Sequence, residues 1–378
     1  MSSKRILVLA NSLLGLYSFR KEVIQSLIAA GYEVVISVPK DKHWVEAHHD
    51  FFQQMGCRFM VTALKRKGMN PLAELKLIWN YRRLIREVKP IAVLTYTIKP
   101  NAYGGMACAW CGVPQIANIT GLGAAVENGG VLGRISMTVY RIGLRRARLV
   151  FCQNATNLEF CMKHGITKGE VKLLPGSGVN LQYHSYTDYP TDDEPIRFLF
   201  CSRIRREKGI EEFLDAARHF QEHPIRDVKL EFHVVGPCEE GYEARMQQLA
   251  NERTIVYHGQ QDDVRPFYRM AAMTVLPSFY PEGMSNVLLE SQATGRPVLT
   301  TKRAGCGETM DDGVTGFFVA PQDSRDVIEK MTAFIQKPYS ERVAMGVAAR
   351  QKMEREFSRD LVVKAYLEAI KKIEDEYV

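Results

Sequence analysis

Residues 275–301, VLPSFYPEGMSNVLLESQATGRPVLTT, bring together side chains suited to gripping a polar ligand. A strand ends at Pro277, and an irregular turn carries Pro281, Glu282 and Gly283. Ser285 then stands as the N-cap of a helix that stops before Gly295, after which Pro297 admits a new strand. Backbone N–H groups at such a helix start, those of Met284, Ser285 and Asn286, can cradle a phosphate or sugar hydroxyls, with Gly283 allowing close approach. Glu282 stands at the mouth of the turn. Glu290, one to two helical turns on, can accept two hydrogen bonds from a vicinal diol such as a ribose. The two carboxylates read as grips on two ends of one ligand.

Positioning such a site requires strands, and the chain supplies two series of them. At 378 residues with 46% hydrophobic content, it is long enough for two cores of standard size. The first half alternates β-branched runs (RILVLA, EVVISV, IAVLTY, QIANIT, RLVFCQ) with amphipathic stretches, such as Tyr17 to Ala30 and Pro71 to Val88. A second series runs through IRFLFCS, LEFHVVG, TIVYHG, MTVLPS and PVLTT. The expected class is α/β, two Rossmann-like domains with parallel sheets facing across a cleft, because ligands bind beyond the carboxyl ends of such strands. The expected boundaries are an N-terminal domain over 1–180, a linker over 181–195 rich in proline and acidic residues, a second domain over 196–357 and a closing helix over 358–378 that packs back on the first domain.

Composition narrows the class further. The apolar run from Ile6 to Ala10 is too short for a signal-peptide core, and no stretch offers about twenty uninterrupted apolar residues. The eight cysteines lack the dense spacing of a secreted disulfide scaffold, so a reducing cytoplasm is expected. The C-x-x-C at Cys108 and Cys111 has no second ligand pair and reads as buried thiols. Residues 1–185 carry 24 Lys and Arg against 10 Asp and Glu, whereas 186–378 carry 26 against 33. The basic half suits anionic partners.

Glu282 and Glu290, separated by seven residues, embedded in PS-x-x-x-EG and followed by G-x-P, resemble the donor motif of glycosyltransferase family 4, whose members are retaining enzymes of GT-B fold. FLFCSRIRREKGIEEFLDAA is similar to that family's strand, loop and helix in which an arginine and a lysine bind the donor diphosphate, here Arg203 and Lys208. LPGSGVN resembles its interdomain linker. The resemblance implies that Arg203, Lys208 and Glu282 form the catalytic group. Glu282, Gly283, Met284, Ser285, Asn286 and Glu290 would line the donor. Gly259 and Gln260 of HGQQDDVRPFYRMAAM would contact the base, and Asp263 would either join them or cap a helix. Elementary chemistry agrees, since two fixed cations can stabilise charge on a leaving diphosphate without a metal. Neither a metal nor a cofactor is expected, the UDP-sugar being a substrate.

The same resemblance makes the N-terminal half the acceptor side. Gly15 stands where many relatives carry a glycine pair near the donor phosphates, and Arg20 could meet an acceptor anion, or both could serve the fold. Many relatives carry a histidine after a central strand of this domain. Here Thr120 and Gly121 stand in that place, while Lys99 and Asn101 end another strand. Catalysis is then expected to rest on diphosphate stabilisation and positioning, with Lys99, Thr120 or Glu127 assisting.

Cations cluster at Lys65, Arg66 and Lys67, at Arg82, Arg83 and Arg86 beside Trp79 and Tyr81, and at Arg134, Arg141, Arg145, Arg146 and Arg148. Basic helices with aromatic residues suit an anionic membrane surface. Segments such as TYTIKPN and ITGLG resemble those of bacterial enzymes that extend sugars on polyprenyl-diphosphate carriers. The expected reaction moves a hexose or N-acetylhexosamine, such as galactose, GalNAc or GlcNAc, from a UDP-sugar to such a carrier or to another lipid or soluble acceptor. The expected place is the cytoplasmic face of the membrane, with no nucleic acid partner. A glycoside hydrolase fits less well, because eight positions of loop and helix rotate Glu282 and Glu290 apart rather than across one bond at about 5–9 Å. A nicotinamide oxidoreductase lacks its G-x-G-x-x-G, and a non-catalytic polyanion binder rests on the basic half alone.

Overall fold

The computed structural model describes residues 4–40, 44–62, 64, 70–121, 130–239 and 241–376. They form two units, Met1–Gly178 with Arg359–Val378, and Val179–Ser358.

In the first unit the strands are β1 (Arg5–Leu9), β2 (Glu33–Val38), β3 (Arg58–Val61), β4 (Ala92–Tyr96), β5 (Gln115–Ile119), β6 (Leu149–Cys152) and β7 (Glu170–Leu173). They pair in parallel in the order β3-β2-β1-β4-β5-β6-β7. Ile6, Val8, Val34, Ile36, Ala92, Leu94 and Ile116 are buried in one core cluster, and Leu7, Leu9, Val35 and Val93 in another. Successive side chains of a strand enter opposite cores, so the central strands read as continuous apolar runs rather than alternations. Strands β3 and β7 lie at the sheet's edges, and their charged Arg58, Glu170 and Lys172 hide them from a search for apolar runs.

Helix α1 (Leu13–Ala29) begins earlier than its apolar periodicity suggests, because Ser12 caps it by accepting the Gly15 N–H at 3.2 Å. Helix α2 spans Glu46–Gln54, and α3 spans Pro71–Val88, the bounds expected from its prolines, with Asn70 as N-cap. A π-helical turn at Pro100–Gly104 leads into α4 (Gly105–Cys111), followed by α5 (Gly130–Leu144) and α6 (Ala155–Lys163).

The second unit holds β8 (Ile196–Cys201), β9 (Leu230–Val235), β10 (Val256–Tyr257), β11 (Met273–Leu276), β12 (Val298–Thr301) and β13 (Gly316–Val319). Their order is β10-β9-β8-β11-β12-β13, again parallel. Helices α7 (Ile210–Glu222), α8 (Glu243–Asn251), α9 (Arg265–Met270), α10 (Asn286–Ala293), α11 (Ser324–Ile335) and α12 (Tyr339–Glu356) accompany them. Each sheet reverses its strand order once, between β1 and β4 and between β8 and β11. Loops diverge at such a point and leave a crevice at the carboxyl ends of the strands.

The stretch expected as a linker, 181–195, falls within the second unit. Tyr189 is buried in that unit's core and donates its hydroxyl to the Ala272 carbonyl at 2.9 Å. The fully buried Arg296 donates to the carbonyls of Thr187 and Asp188. Prolines and acidic residues without apolar periodicity made the backbone irregular without detaching it. Helix α13 (Arg359–Glu376) belongs to the first unit. It buries Val362, Tyr366, Ile370 and Ile373 as one stripe, accepts at Tyr366 Oη from Asn118 at 2.9 Å, and anchors Arg359 on Glu22 at 2.6 Å.

Candidate functional site

The candidate donor residues converge where the sheet of the second unit reverses. Loop 202–209 leaves β8, and a short 3-10 turn, Arg206–Lys208, ends on Gly209 at φ 81. A Cβ there would lie 2.4 Å from the Pro277 carbonyl oxygen, so only glycine lets this loop rest on the one leaving β11. The Glu207 carbonyl accepts the Phe279 and Tyr280 N–H groups, each at 3.0 Å, and the Ser278 hydroxyl at 3.2 Å. Those bonds clamp PSFYP against RREKG and bring Lys208, 74 positions away in sequence, onto Glu282.

Lys208 and Glu282 form an ion pair with side chains 9% and 17% exposed. The Lys208 ammonium also stands 5.1 Å from the Tyr280 ring centroid. Burial pushes Lys208 down to about 8, and the cations of Arg203 and Arg205 press the same way. The carboxylate of Glu282 favours the charged form against them. Arg205 is committed to Glu207 through two bonds of 2.9 Å, whereas Arg203 is more than half exposed, with Glu239 3.8 Å away. Of these cations, Arg203 is the one whose planar fork is presented to solvent, and Lys208 is the one held in a dry wall.

Glu290 lies on α10, facing α9. Tyr268, fully buried, donates its hydroxyl to Glu290 Oε2 at 3.0 Å, and His184 Nε2 stands 3.9 Å from Oε1. Burial, then Cys201 and Glu290 beside it, hold the Tyr268 hydroxyl well above its ordinary range, so it remains a donor. The helix start differs from its expected form. Ser285 occupies the N-cap position without a side-chain cap, its N–H donates to the Gly305 carbonyl at 2.7 Å, and Met284 is buried against Leu289 and Met353. The Ser285 N–H and the Met284 side chain are thus taken up within the turn. Gly305, at φ 80, packs on the backbone of Glu282, where a Cβ would meet its carbonyl oxygen at 2.7 Å. Gly283 is buried in the same turn, and Asn286 opens the helix half-buried.

After β10, Gly259 adopts φ 66 with open space around it, and its carbonyl accepts the Gly236 N–H at 2.8 Å. Gln260 is exposed. Asp263 binds Arg265 through its backbone N–H and guanidinium at 2.7–3.0 Å, and that pairing holds its carboxyl down at about 2. Asp263 thus braces the start of α9.

In the first unit the candidates separate. Gly15 sits in the first turn of α1, and an added Cβ would meet only Ser12. Arg20, expected at an acceptor anion, is 3% exposed; it donates to the Phe19 carbonyl at 2.9 Å and lies 5.1 Å from the Tyr96 ring centroid. Asn101 is fully buried, accepts from Thr95 at 2.7 Å and donates to the Asn118 carbonyl at 2.8 Å, tying β4 to β5. Asn101 is committed to the core, since a buried polar group must find its partners there; Arg20 is buried with, among the described residues, a single hydrogen bond, to the carbonyl beside it. Lys99 instead pairs with Glu74 at 2.6 Å, their side chains 16% and 12% exposed. Thr120 and Gly121, the latter at φ 140, follow β5. Glu127, Lys65, Arg66 and Lys67 lie outside the described residues.

Two families of domains match this chain, the "Glycosyl transferase 4-like domain" over residues 18–176 and "Glycosyl transferases group 1" over residues 195–337. The chain belongs to the glycosyltransferases. A similar enzyme, N,N'-diacetylbacillosaminyl-diphospho-undecaprenol alpha-1,3-N-acetylgalactosaminyltransferase of Campylobacter jejuni, is 22% identical over 96% of this chain and 97% of its own. A glycosyltransferase structure from Rickettsia africae superimposes with a TM-score of 0.75 at 17% identity, covering 99% of both chains. Anabaena HepE, solved in complex with UDP, does so with the same score and identity over 97% of this chain and all of its own. The fold of this glycosyltransferase is GT-B.

Several contacts of the site were invisible in the sequence. Tyr268 and His184 reach Glu290 from 22 and 106 positions away. Glu207 acts through its backbone carbonyl, which residue type does not reveal. Thr97, at φ 73 next to the Lys99 turn, is a β-branched residue in a region such residues avoid, a form of strain that concentrates at functional sites. Nothing in its local pattern announces it.

Proposed function

We propose that this glycosyltransferase transfers a hexose or N-acetylhexosamine from a UDP-sugar to a polyprenyl-diphosphate-linked saccharide, with retention, in the assembly of a surface glycan. The observation that carries the donor side is the buried Lys208–Glu282 pair beside exposed Arg203 at the reversal of the second unit's sheet. An arriving diphosphate would take Lys208 and Arg203, and the Glu282 carboxylate would turn to the sugar hydroxyls. Glu290, steadied by Tyr268, would hold the ribose, with Gly259 and Gln260 near the base. As the sugar–phosphate bond breaks, the two cations stabilise the charge on the leaving group. The acceptor hydroxyl then attacks from the same face and gives its proton to the leaving phosphate oxygen, so no protein nucleophile or metal is needed. Lys99, Thr120 and Gly121 are the acceptor candidates that the first unit keeps out of its core.

The lipid-linked acceptor is favoured by the Campylobacter relative, whose name specifies a diphospho-undecaprenol substrate, and by the positive excess of the first half. That excess also supports peripheral attachment to an anionic membrane surface, on the cytoplasmic side where nucleotide-sugars would be supplied. Among the described residues, no helix is long and apolar enough to cross a membrane. The test is UDP release from a panel of UDP-sugars, with and without polyprenyl-diphosphate saccharide and with a chelator, followed by assignment of the product anomer. No release with any pair, or release with an inverted product, refutes the reading. Lys208→Ala and Glu290→Ala should each abolish transfer in a folded protein, and activity in both would mean that the donor lies elsewhere.

A further inference from the structure

We infer that the outward face of helix α3, together with Trp110 of α4, is the surface on which the protein lies against an anionic lipid bilayer. The inference rests on the membrane attachment proposed above, and it names the place.

Helix α3 turns Leu77, Ile78, Tyr81, Leu84 and Ile85 inward. A folded soluble surface would leave the opposite stripe polar, yet that stripe carries Leu72, 78% exposed, with Leu75 and Trp79 more than half exposed. Trp110 is equally exposed, and its ring centroid lies 6.4 Å from that of Trp79. The Arg82 guanidinium stands over both indoles, at 4.9 and 5.7 Å. One turn further, Arg83 and Arg86 are exposed, and among the described residues no carboxylate lies within ion-pair distance of Arg82, Arg83 or Arg86.

This order has a physical meaning. Apolar and indole side chains occupy the N-terminal half of the stripe, and arginines that, among the described residues, make no ion pair occupy its C-terminal half, with Glu87 exposed at their flank. Indoles favour the boundary between headgroups and acyl chains, and arginines favour the phosphates above it. The basic character continues beyond α3. Helix α4 packs against both α3 and α5, and α5 exposes Arg134 and Arg141 with no acidic residue along its length. Charge complementarity therefore points to an anionic bilayer, not to a second copy of this chain, whose same face would be equally basic.

The experiment uses the full chain with Trp44→Phe, so that fluorescence reports Trp79 and Trp110. Vesicles of phosphatidylcholine, with or without phosphatidylglycerol and cardiolipin, are mixed with protein, and flotation and indole emission are measured. Flotation and a blue shift with the anionic vesicles alone are expected. Trp79→Ser with Trp110→Ser should abolish flotation, and Arg83→Gln and Arg86→Gln should each weaken it about fivefold. All these variants should keep wild-type transfer to a detergent-solubilised acceptor. If wild-type protein floats and both the tryptophan and the arginine variants float equally well, the surface is wrong while membrane attachment stands. No flotation of wild-type protein overturns both, and transfer to solubilised acceptor then judges the reaction by itself. A wild-type dimer that the tryptophan changes dissociate, with vesicle binding unchanged, would make the face a self-association surface and overturn the inference.

Discussion

Lys208 should make donor binding pH-dependent, with a sign that the structure dictates. Burial holds its ammonium down to about 8, against an ordinary value of 10.5. A bound diphosphate adds negative charge beside it and moves the value back toward or above the ordinary one. Below pH 8 the free protein already carries the proton, and binding takes up little. Above pH 8 the free protein has lost it, and binding must recover it from solvent. Affinity for UDP should therefore be nearly level up to pH 7 as far as this group is concerned, and fall toward tenfold per unit above pH 8. Recovering 2.5 units corresponds to about 3 kcal/mol of proton-linked affinity, an upper bound on what the lysine can contribute this way. Calorimetry at pH 7, 8 and 9, in pairs of buffers that differ in ionisation enthalpy, measures the protons taken up. Uptake should rise from near zero to near one. Glu282→Gln removes the counter-charge, lowers the lysine's value further and should move the break to lower pH. Affinity and uptake that stay flat from pH 7 to 9, or an unchanged slope in Lys208→Ala, would refute the reasoning.

Tyr268→Phe deletes the buried donor to Glu290 and should raise the KM for UDP-sugar about tenfold with little change in kcat, the loss expected for one hydrogen bond to a charged group; an unchanged KM would show that Glu290 needs no such brace. Gly209→Ala places a Cβ against the Pro277 carbonyl at positive φ and should destabilise by about 1–3 kcal/mol, read as a lower Tm and weaker UDP binding together. Lys99→Ala combined with Glu74→Gln, which strands no buried carboxylate, should raise the KM for acceptor while leaving Tm nearly unchanged. Asn101→Ala should do the reverse, lowering Tm because it leaves Thr95 and the Asn118 carbonyl without their buried partner. Equal effects of the two on acceptor KM would contradict their separation into site and core.

Local pattern was enough for much of the fold. The parallel class follows from continuous apolar runs such as RILVLA and EVVISV, which only a sheet covered on both faces can bury. Pro71 and Pro90 bracket α3 because proline is tolerated at a helix start and excluded from its interior. The paired glutamates and the RREKG turn were conspicuous because residue type and spacing are themselves properties of the sequence. Edge strands β3 and β7 were missed where charge replaces the apolar run.

Tertiary structure decided what depends on distance through space. Asn101 looks the same on paper as Lys99 and Arg203, a polar residue just past a strand end, and only its burial and its bonds to Thr95 and Asn118 assign it to the core. The contact of Lys208 with Glu282 exists because crossover connections set β8 beside β11 and bring their loops together at the carboxyl end of the sheet, while Tyr268 and Glu290 meet from the helices that precede and follow β11. Periodicity records how each segment buries its own face. It carries no record of which segment lies next to it, and strand order alone makes those neighbours.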